Sequence, residues 1–300
     1  MKMFQEDIKN KNFNELGMLL LSFAEQGDIE KVHYLLTSPD LKFNPHIETD
    51  KGWILVKACI SGNLELVKYL LTSPKLKTHI AINSCSDIPL IQCCKLGHLD
   101  ILEYLLTSSE LTNHAILTDK LVTKACEYGH LNIIRFLLTS PKLKEHAKAD
   151  DNIFIYACQN GHLDIVKYLL TSSELKENLD VNMQNDRGFI SACQNGHLDI
   201  VKYLLHSKEL RKHANLHSMG DRAFIQACGY HKLNIVEYMI CELNIEKSKH
   251  IEEYLSSDYF IHETASFCAK VNSIFQMRDL NKELETELHD NRLDKVKVKL

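Results

Sequence analysis

The sequence predicts an all-α protein built as a solenoid of helical repeats, and three observations predict it. A short signature returns along the chain at Gly27-Asp28-Ile29, Gly62-Asn63-Leu64, Gly97-His98-Leu99, Gly129-His130-Leu131, Gly161-His162-Leu163 and Gly196-His197-Leu198, with a decayed copy from His231. The spacings are 35, 35, 32, 32, 35 and 35 residues, a period at which self-similarity means a stacked array. Third, Leu163-Asp164-Ile165-Val166-Lys167-Tyr168-Leu169-Leu170 carries apolar residues at intervals of two, three and four. That spacing gives one broad buried helical face. The length of 300 residues then measures an array of about seven repeats rather than a number of globular domains.

Each repeat opens with an inner helix. In Phe154-Ile155-Tyr156-Ala157-Cys158-Gln159-Asn160 the helix is closed by Gly161, a natural left-handed stop. The outer helix follows, with Asp100, Asp164 or Asp199 in its first turn, where the helix dipole favours an anion, and a Lys or Glu three residues on. Neither helix can bury its apolar face alone, so the αα-hairpins must stack at roughly 8–10 Å. Behind the outer helix stands Thr-Ser-x-x-Leu, as in Thr72-Ser73-Pro74-Lys75-Leu76. The Thr-x-x-Glu spacing of Thr107 to Glu110 and of Thr171 to Glu174 predicts a capping box. Pro74 and Pro141 stand at a first helical position, so a short third helical turn is expected there. Tight turns are expected around Thr49-Asp50-Lys51-Gly52, Asn185-Asp186-Arg187-Gly188 and Met219-Gly220-Asp221.

The ends differ in kind. Residues 13–38 form a first repeat entered from the polar Lys9-Asn10-Lys11-Asn12, as a capping repeat should be. After residue 242 come Ile251-Glu252-Glu253-Tyr254-Leu255, an apolar-containing segment from Ala265 to Met277, and a charged helix with Leu280, Leu284 and Leu288 on one side. The predicted organisation is an N-terminal capping repeat over 1–38, repeats over 39–242, and a helical C-terminal cap with a charged tail over 243–300.

Composition narrows the class of function. With 45% hydrophobic and 25% charged residues the chain has material for a core, which sets aside disorder and collagen-like structure. The longest apolar runs, such as Met18-Leu19-Leu20-Leu21, fall far short of the ~20 residues of a membrane span. Met1-Lys2-Met3-Phe4-Gln5-Glu6-Asp7 lacks the apolar stretch of a secretory signal, so a cytoplasmic protein is expected. A net charge of −5 argues against a surface that coats nucleic acid as a whole.

The repeats resemble ankyrin repeats. The resemblance rests on Ala-Cys-x-x-Gly-His-Leu-Asp-Ile-Val-Lys-Tyr-Leu-Leu at Ala157–Leu170 and Ala192–Leu205, and it covers about residues 13 to 242. Two departures stand out. The family's Thr-Pro-Leu-His opening is replaced by Trp53-Ile54-Leu55-Val56, Arg187-Gly188-Phe189-Ile190 and relatives, with only Pro89-Leu90 surviving. Thr-Ser-x-x-Leu replaces Gly-Ala-Asp-Val-Asn, which puts the family's finger hairpins in doubt. Repeats of this kind are common in intracellular bacteria, their phages and large viruses. The resemblance therefore implies a non-catalytic protein-binding module, acting as an effector or inhibitor against a host or defence protein, in the host cytosol if it is secreted. Glu283, Glu285 and Glu287 resemble the acidic patch of some type IV export signals.

Chemistry finds little footing. Cys59, Cys94, Cys126, Cys158, Cys193 and Cys228 all stand three residues before the loop position. Equivalent atoms in stacked repeats lie roughly 10 Å apart, beyond the ~7 Å Cα limit of a disulfide and the ~2.3 Å of a Zn–S bond. They read as small buried hydrophobes. His98, His130, His162 and His197 repeat likewise and are expected to brace neighbouring loops. Cys85, Cys93, Cys241 and Cys268 show no metal-type pairing, and His262 with Cys268 has no third residue to orient a base. No phosphate loop, nucleophile elbow or zincin motif occurs in the sequence. No enzyme, metal or cofactor is expected.

Binding is expected where the repeats vary. The residue before each Ala-Cys pair, the one four further back and the two after it share one helical face, opposite Phe154, Phe189 and Phe224. In ankyrin repeats this surface lines the concave groove that takes partners. The resemblance assigns that role here to Trp53, Lys57, Lys120, Lys124, Tyr128, Tyr156, Gln159, Arg187, Gln194, Arg222, Gln226 and Tyr230. The full stripe holds six Lys or Arg against one Glu, which predicts a protein partner with an acidic or mixed surface. The alternatives are a nucleic-acid groove using the same cations with aromatic stacking, or a small catalytic or targeting module in 243–300. Oligomeric state is open.

Overall fold

The computed structural model describes residues 6–42, 45, 52–143, 147–175, 179–257 and 262–297, without the side chains of 262, 263 and 288–297. Its contacts divide the chain into two compact units, Met1–Ile153 and Phe154–Leu300. Among the described residues there is helix and turn but no strand, so no finger hairpin forms there.

The N-terminal unit stacks four αα-hairpins: α1 (Phe13–Glu25) with α2 (Ile29–Thr37), α3 (Trp53–Ser61) with α4 (Leu64–Thr72), α5 (Ile88–Leu96) with α6 (Leu99–Thr107), and α7 (Lys120–Tyr128) with α8 (Leu131–Thr139). Each inner helix packs on the next, α1 on α3, α3 on α5 and α5 on α7. Asn12 opens the stack with a reciprocal box: its side chain accepts from Glu15 N (3.0 Å) and Glu15 accepts from Asn12 N (2.8 Å), which satisfies two donors that an N-terminus leaves free. Helix α9 (Asp151–Asn160) spans the unit boundary. In the C-terminal unit it is followed by α10 (Leu163–Thr171), α11 (Met183–Asn195), α12 (Leu198–His206) and α13 (Ser218–Gly229), then α14 (Leu233–Glu237), which runs on as a π-helical turn over Tyr238–Glu242. Phe154, Phe189 and Phe224 are fully buried between these helices.

The expected capping box is not what ends the outer helix. Thr107 and Thr171 are still helical and donate their hydroxyls to the carbonyls of Glu103 (2.7 Å) and Lys167 (2.8 Å), while the next residue, Ser108 or Ser172, accepts from Glu110 N (3.2 Å) or Glu174 N (3.1 Å). Back-bonding of this kind is an ordinary option for Thr in a helix. The expected third helical turn shrinks to one bonded turn, with Leu76, Leu111, Leu143 and Leu210 N donating to the carbonyls of Ser73, Ser108, Ser140 and Ser207 at 3.1–3.2 Å. The chain then doubles back onto its own outer helix. Ile80, Ala115, Ala147, Leu179 and Ala214 donate to the carbonyls of Leu70, Leu105, Leu137, Leu169 and Leu204 at 2.9–3.4 Å. Those carbonyls are the ones a helix end leaves unpaired.

The two repeat lengths have one cause. In repeats whose inner helix follows a long joint, left-handed residues kink its first turn, inside the spans given for α11 and α13: Gln184, Asn185 and Asp186 (φ +48°, +57°, +60°), and Met219, Gly220 and Asp221 (φ +52°, +66°, +58°). Ser86 (φ +52°) serves the same place before α5. The two tight turns expected at Asn185–Gly188 and Met219–Asp221 are these, whereas Thr49-Asp50-Lys51 lies outside the described residues. In the short repeats Asp119 and Asp151 follow the returning segment three residues sooner, and no residue there has positive φ.

After the repeats, α15 (Lys249–Leu255) and α16 (His262–Lys297) pack against α13. Cys268, Val271 and Phe275 face inward at helical spacing, and Phe275 meets Phe224 with ring centroids 5.9 Å apart. Arg278 covers Phe275 (5.2 Å) and donates to the Ile245 carbonyl (2.6 Å). Beyond it, residues 279–287 are exposed, Leu280 and Leu284 included, and the side chain of Leu288 lies outside the description.

Candidate partner-binding face

The frame takes up the ladder cysteines and the bracing loop histidines, while Cys85 is half-buried and Cys241 exposed. The six ladder cysteines are fully buried and unbridged. Burial pushes the Cys94 thiol up to about 12 and those of Cys126, Cys158, Cys193 and Cys228 higher still. Such thiols stay protonated and are poor nucleophiles. Cys93, at the alanine position of its repeat, is also raised, by burial and by the adjoining Cys59 thiol. The loop histidines brace neighbours: His130 Nε2 donates to the Lys95 carbonyl and His197 Nε2 to the Gln159 carbonyl, both at 2.9 Å. Asn63 and Asn234 reach the Gly27 and Gly196 carbonyls from the same side. At Gly161 (φ +82°) a Cβ would sit 2.6 Å from the His197 ring, so glycine there serves both the turn and the histidine. The side chain of His262 lies outside the description, so its pairing with Cys268 has no geometry here.

An aspartate ladder escaped the sequence reading. Asp119 accepts from Lys148 N (3.1 Å) and Asp186 from Asn215 N (3.0 Å), each 29 residues ahead in the next repeat. Asp186 and Asp221 are only 4% and 3% exposed. Asp186 also accepts from Asn182 Nδ2 (2.7 Å), and Asp221 from His217 Nδ1 (2.5 Å) and the Ser248 hydroxyl. Ten residues before the loop position stand Asp87, Asp119, Asp151, Asp186 and Asp221. That register was the available signal.

In the N-terminal unit the stripe is solvent-facing. Trp53 and Tyr128 keep 45% and 46% of their surface exposed, Lys120 is exposed, and Lys57 and Lys124 are half-buried. Counting nine back from Gly27, as Trp53 is counted from Gly62, places Met18 in the same row, and it is 66% exposed; the sequence reading omitted it. The lysines are engaged. Lys57 pairs with Glu25 (2.9 Å), Lys120 approaches Asp87 (3.8 Å), Lys124 pairs with Glu127 (2.6 Å), and Lys95 lies over the Tyr128 ring (5.6 Å). Glu25 and Asp87 sit on the preceding repeat, so counting charges within one helix missed them.

In the C-terminal unit Gln159, Arg187, Arg222 and Tyr230 are exposed, while Tyr156, Gln194 and Gln226 are half-buried. No ion pair reaches Arg187 or Arg222 among the described residues. With its amide oxygen turned to the guanidinium, Gln226 accepts from Arg222 Nε (3.1 Å) and Nη2 (3.2 Å). Asn160 and Asn195 donate back to the carbonyls of Tyr156 and Ser191 at 2.9 Å, leaving their amide oxygens available. The face of this unit is amide, arginine and tyrosine.

A family model described as ankyrin repeats, three copies, matches residues 19–118, 110–185 and 172–250. No curated protein matches the chain. Ankyrin repeats are in general protein–protein interaction modules, typically without catalytic activity. Among the described residues no helix is long and apolar enough to cross a membrane.

Proposed function

The chain belongs to the ankyrin-repeat family, and from that premise we propose that it is a non-catalytic module that captures a partner protein on the inner-helix faces of its two units. One observation carries this reading: Trp53, Tyr128, Tyr230, Arg187 and Arg222 stay exposed on a frame whose Ala-Cys positions and inward-facing phenylalanines are fully buried. Large aromatic and arginine side chains in that setting are the usual anchors of protein interfaces. Protonated, buried thiols and structurally occupied histidines support the absence of a catalytic role. The carboxylate partners of Lys57, Lys120 and Lys124 favour a protein over a polyanion, because they cancel charge that a phosphate backbone would need.

A pull-down supplies the partner, and titration calorimetry with melting curves tests the face. Tyr156→Ala and Arg187→Ala should each weaken the complex by about 1–3 kcal/mol while leaving stability within about 1 kcal/mol. The outer-helix changes Glu103→Ala and Lys167→Ala should leave affinity unaltered. Loss of binding in the outer-helix variants with normal binding in the stripe variants would refute the proposal.

A further inference from the structure

The last helix carries two different faces. Along its first half Cys268, Val271 and Phe275 are buried, but from Met277 on apolar side chains point outward: Met277, Leu280 and Leu284 are 65%, 55% and 48% exposed. Leu280, Glu283, Leu284 and Glu287 stand at i, i+3, i+4 and i+7 and so share one side of α16, with Met277 beside them. At 3.6 residues per turn Lys282 falls on the opposite side. Glu283 and Glu287 are exposed, and no ion pair reaches either among the described residues. This side of the helix is apolar and acidic, with no cation in it.

The stripe of the same unit is its chemical complement. Arg187 and Arg222 are exposed, while the carboxylates that precede them, Asp186 and Asp221, are turned inward to Asn182, Asn215, His217 and Ser248. Tyr230, 54% exposed, and the half-buried Tyr156 add ring surface to the stripe. A helix satisfies its own backbone, so it asks of a neighbour only side-chain contacts, which is all that a stripe made of helix surfaces offers. The N-terminal stripe matches less well, because Lys57, Lys120 and Lys124 already face Glu25, Asp87 and Glu127.

The helix does not meet the stripe of its own chain. Phe275 holds it against Phe224, which points away from Arg222 and Gln226 on α13, and Arg278 ties it to the Ile245 carbonyl (2.6 Å). Extending the reading above and resting on it, we infer that the C-terminal unit takes a second copy of this chain, the outward side of α16 in one copy lying on the arginine stripe of the other. Glu283 and Glu287 meet the arginines in charge-assisted contacts able to be bidentate. Leu280 and Leu284 lie against the tyrosine surface. A second copy and an external partner then compete for one stripe.

Sedimentation equilibrium of the full chain tests this over about 1–100 µM, at about 0.1 M salt, where the Debye length is about 10 Å. The average mass of the unmodified protein should rise with concentration. Two double variants, Arg187→Glu with Arg222→Glu and Glu283→Arg with Glu287→Arg, should each remain single chains, since like charges then meet. An equimolar mixture of the two should associate again, because each stripe then faces a helix of opposite sign; that recovery also shows both variants to be folded. Leu284→Ala should weaken association by about tenfold, and the outer-helix change Lys167→Ala should leave it unaltered. An unmodified protein that stays single throughout, or a mixture that fails to associate, overturns the inference. Calorimetry against the partner from the pull-down separates this from the broader reading. If Tyr156→Ala and Arg187→Ala weaken that partner while the unmodified protein never self-associates, the inference fails and the binding face stands. If the stripe variants leave both the partner and self-association intact, the binding face itself is refuted and the inference falls with it.

Discussion

The stripe of the N-terminal unit holds four lysines, each with a carboxylate or an aromatic ring within reach; that of the C-terminal unit holds two arginines that meet no carboxylate among the described residues. Beneath them the frame is the same, with buried Ala-Cys pairs at Ala125-Cys126 and Ala192-Cys193 alike. Formal charge on a face is therefore a poor measure of what the face offers. A lysine on one repeat is answered by a carboxylate on the repeat before it, and only the stacking register reveals the pair.

The comparison can be broken first at the frame. Phe189→Ala should cost about 3–5 kcal/mol and Leu55→Ala about 2–5 kcal/mol, since each deletes a fully buried side chain. A small loss for only one of them in chemical denaturation would show that the two units are not equally built. The aspartate ladder sharpens the point. Asp186→Ala removes a buried acceptor of two bonds and should cost about 2–4 kcal/mol, whereas the exposed Asp119, which also bonds the next repeat, should cost about 1 kcal/mol or less. At the faces, Arg187→Ala should weaken partner binding by about 1–3 kcal/mol and Lys57→Ala by under about 1 kcal/mol, because the lysine already has Glu25. Equal losses in calorimetry would erase the distinction drawn between the stripes.

The smallest effect is in pH. Burial raises the thiols in both units, so their contribution to stability is full below the ordinary thiol pKa and fades as pH rises above it, where unfolded thiols ionise and folded ones do not. Melting temperature should hold between about pH 7 and 8 and fall above about pH 9. Cys126→Ala and Cys158→Ala should each make that alkaline fall shallower by a similar amount. A slope unaffected by either change would mean that these thiols titrate normally in the folded protein.

The frame was legible because its determinants are local and periodic: a glycine every 32 or 35 residues, and an Ala-Cys pair at a fixed distance before it. The positions of Trp53, Arg187 and Tyr230 followed from helical spacing alone. What stayed hidden needed contacts between repeats. The bond from Asp186 to Asn215 crosses 29 residues, and the pairing of Lys57 with Glu25 joins two helices. Thr107 misled for a different reason. Its spacing to Glu110 fits a capping box, but the outer helix runs one residue further and leaves that role to Ser108.

The left-handed turn that lengthens some repeats has a consequence for how such a chain can change over generations. It lies between two anchored points, the hooked amide of Asn215 and the buried Asp221, whereas the corresponding Lys148 and Asp151 are joined by a stretch three residues shorter. The same fastening works with either length, so recombination at this joint can shuffle, duplicate or delete a whole repeat without putting the rest out of step. Each repeat carries its own few outward positions with it. The outward positions of this chain are then heritable in blocks, one hairpin at a time, rather than residue by residue.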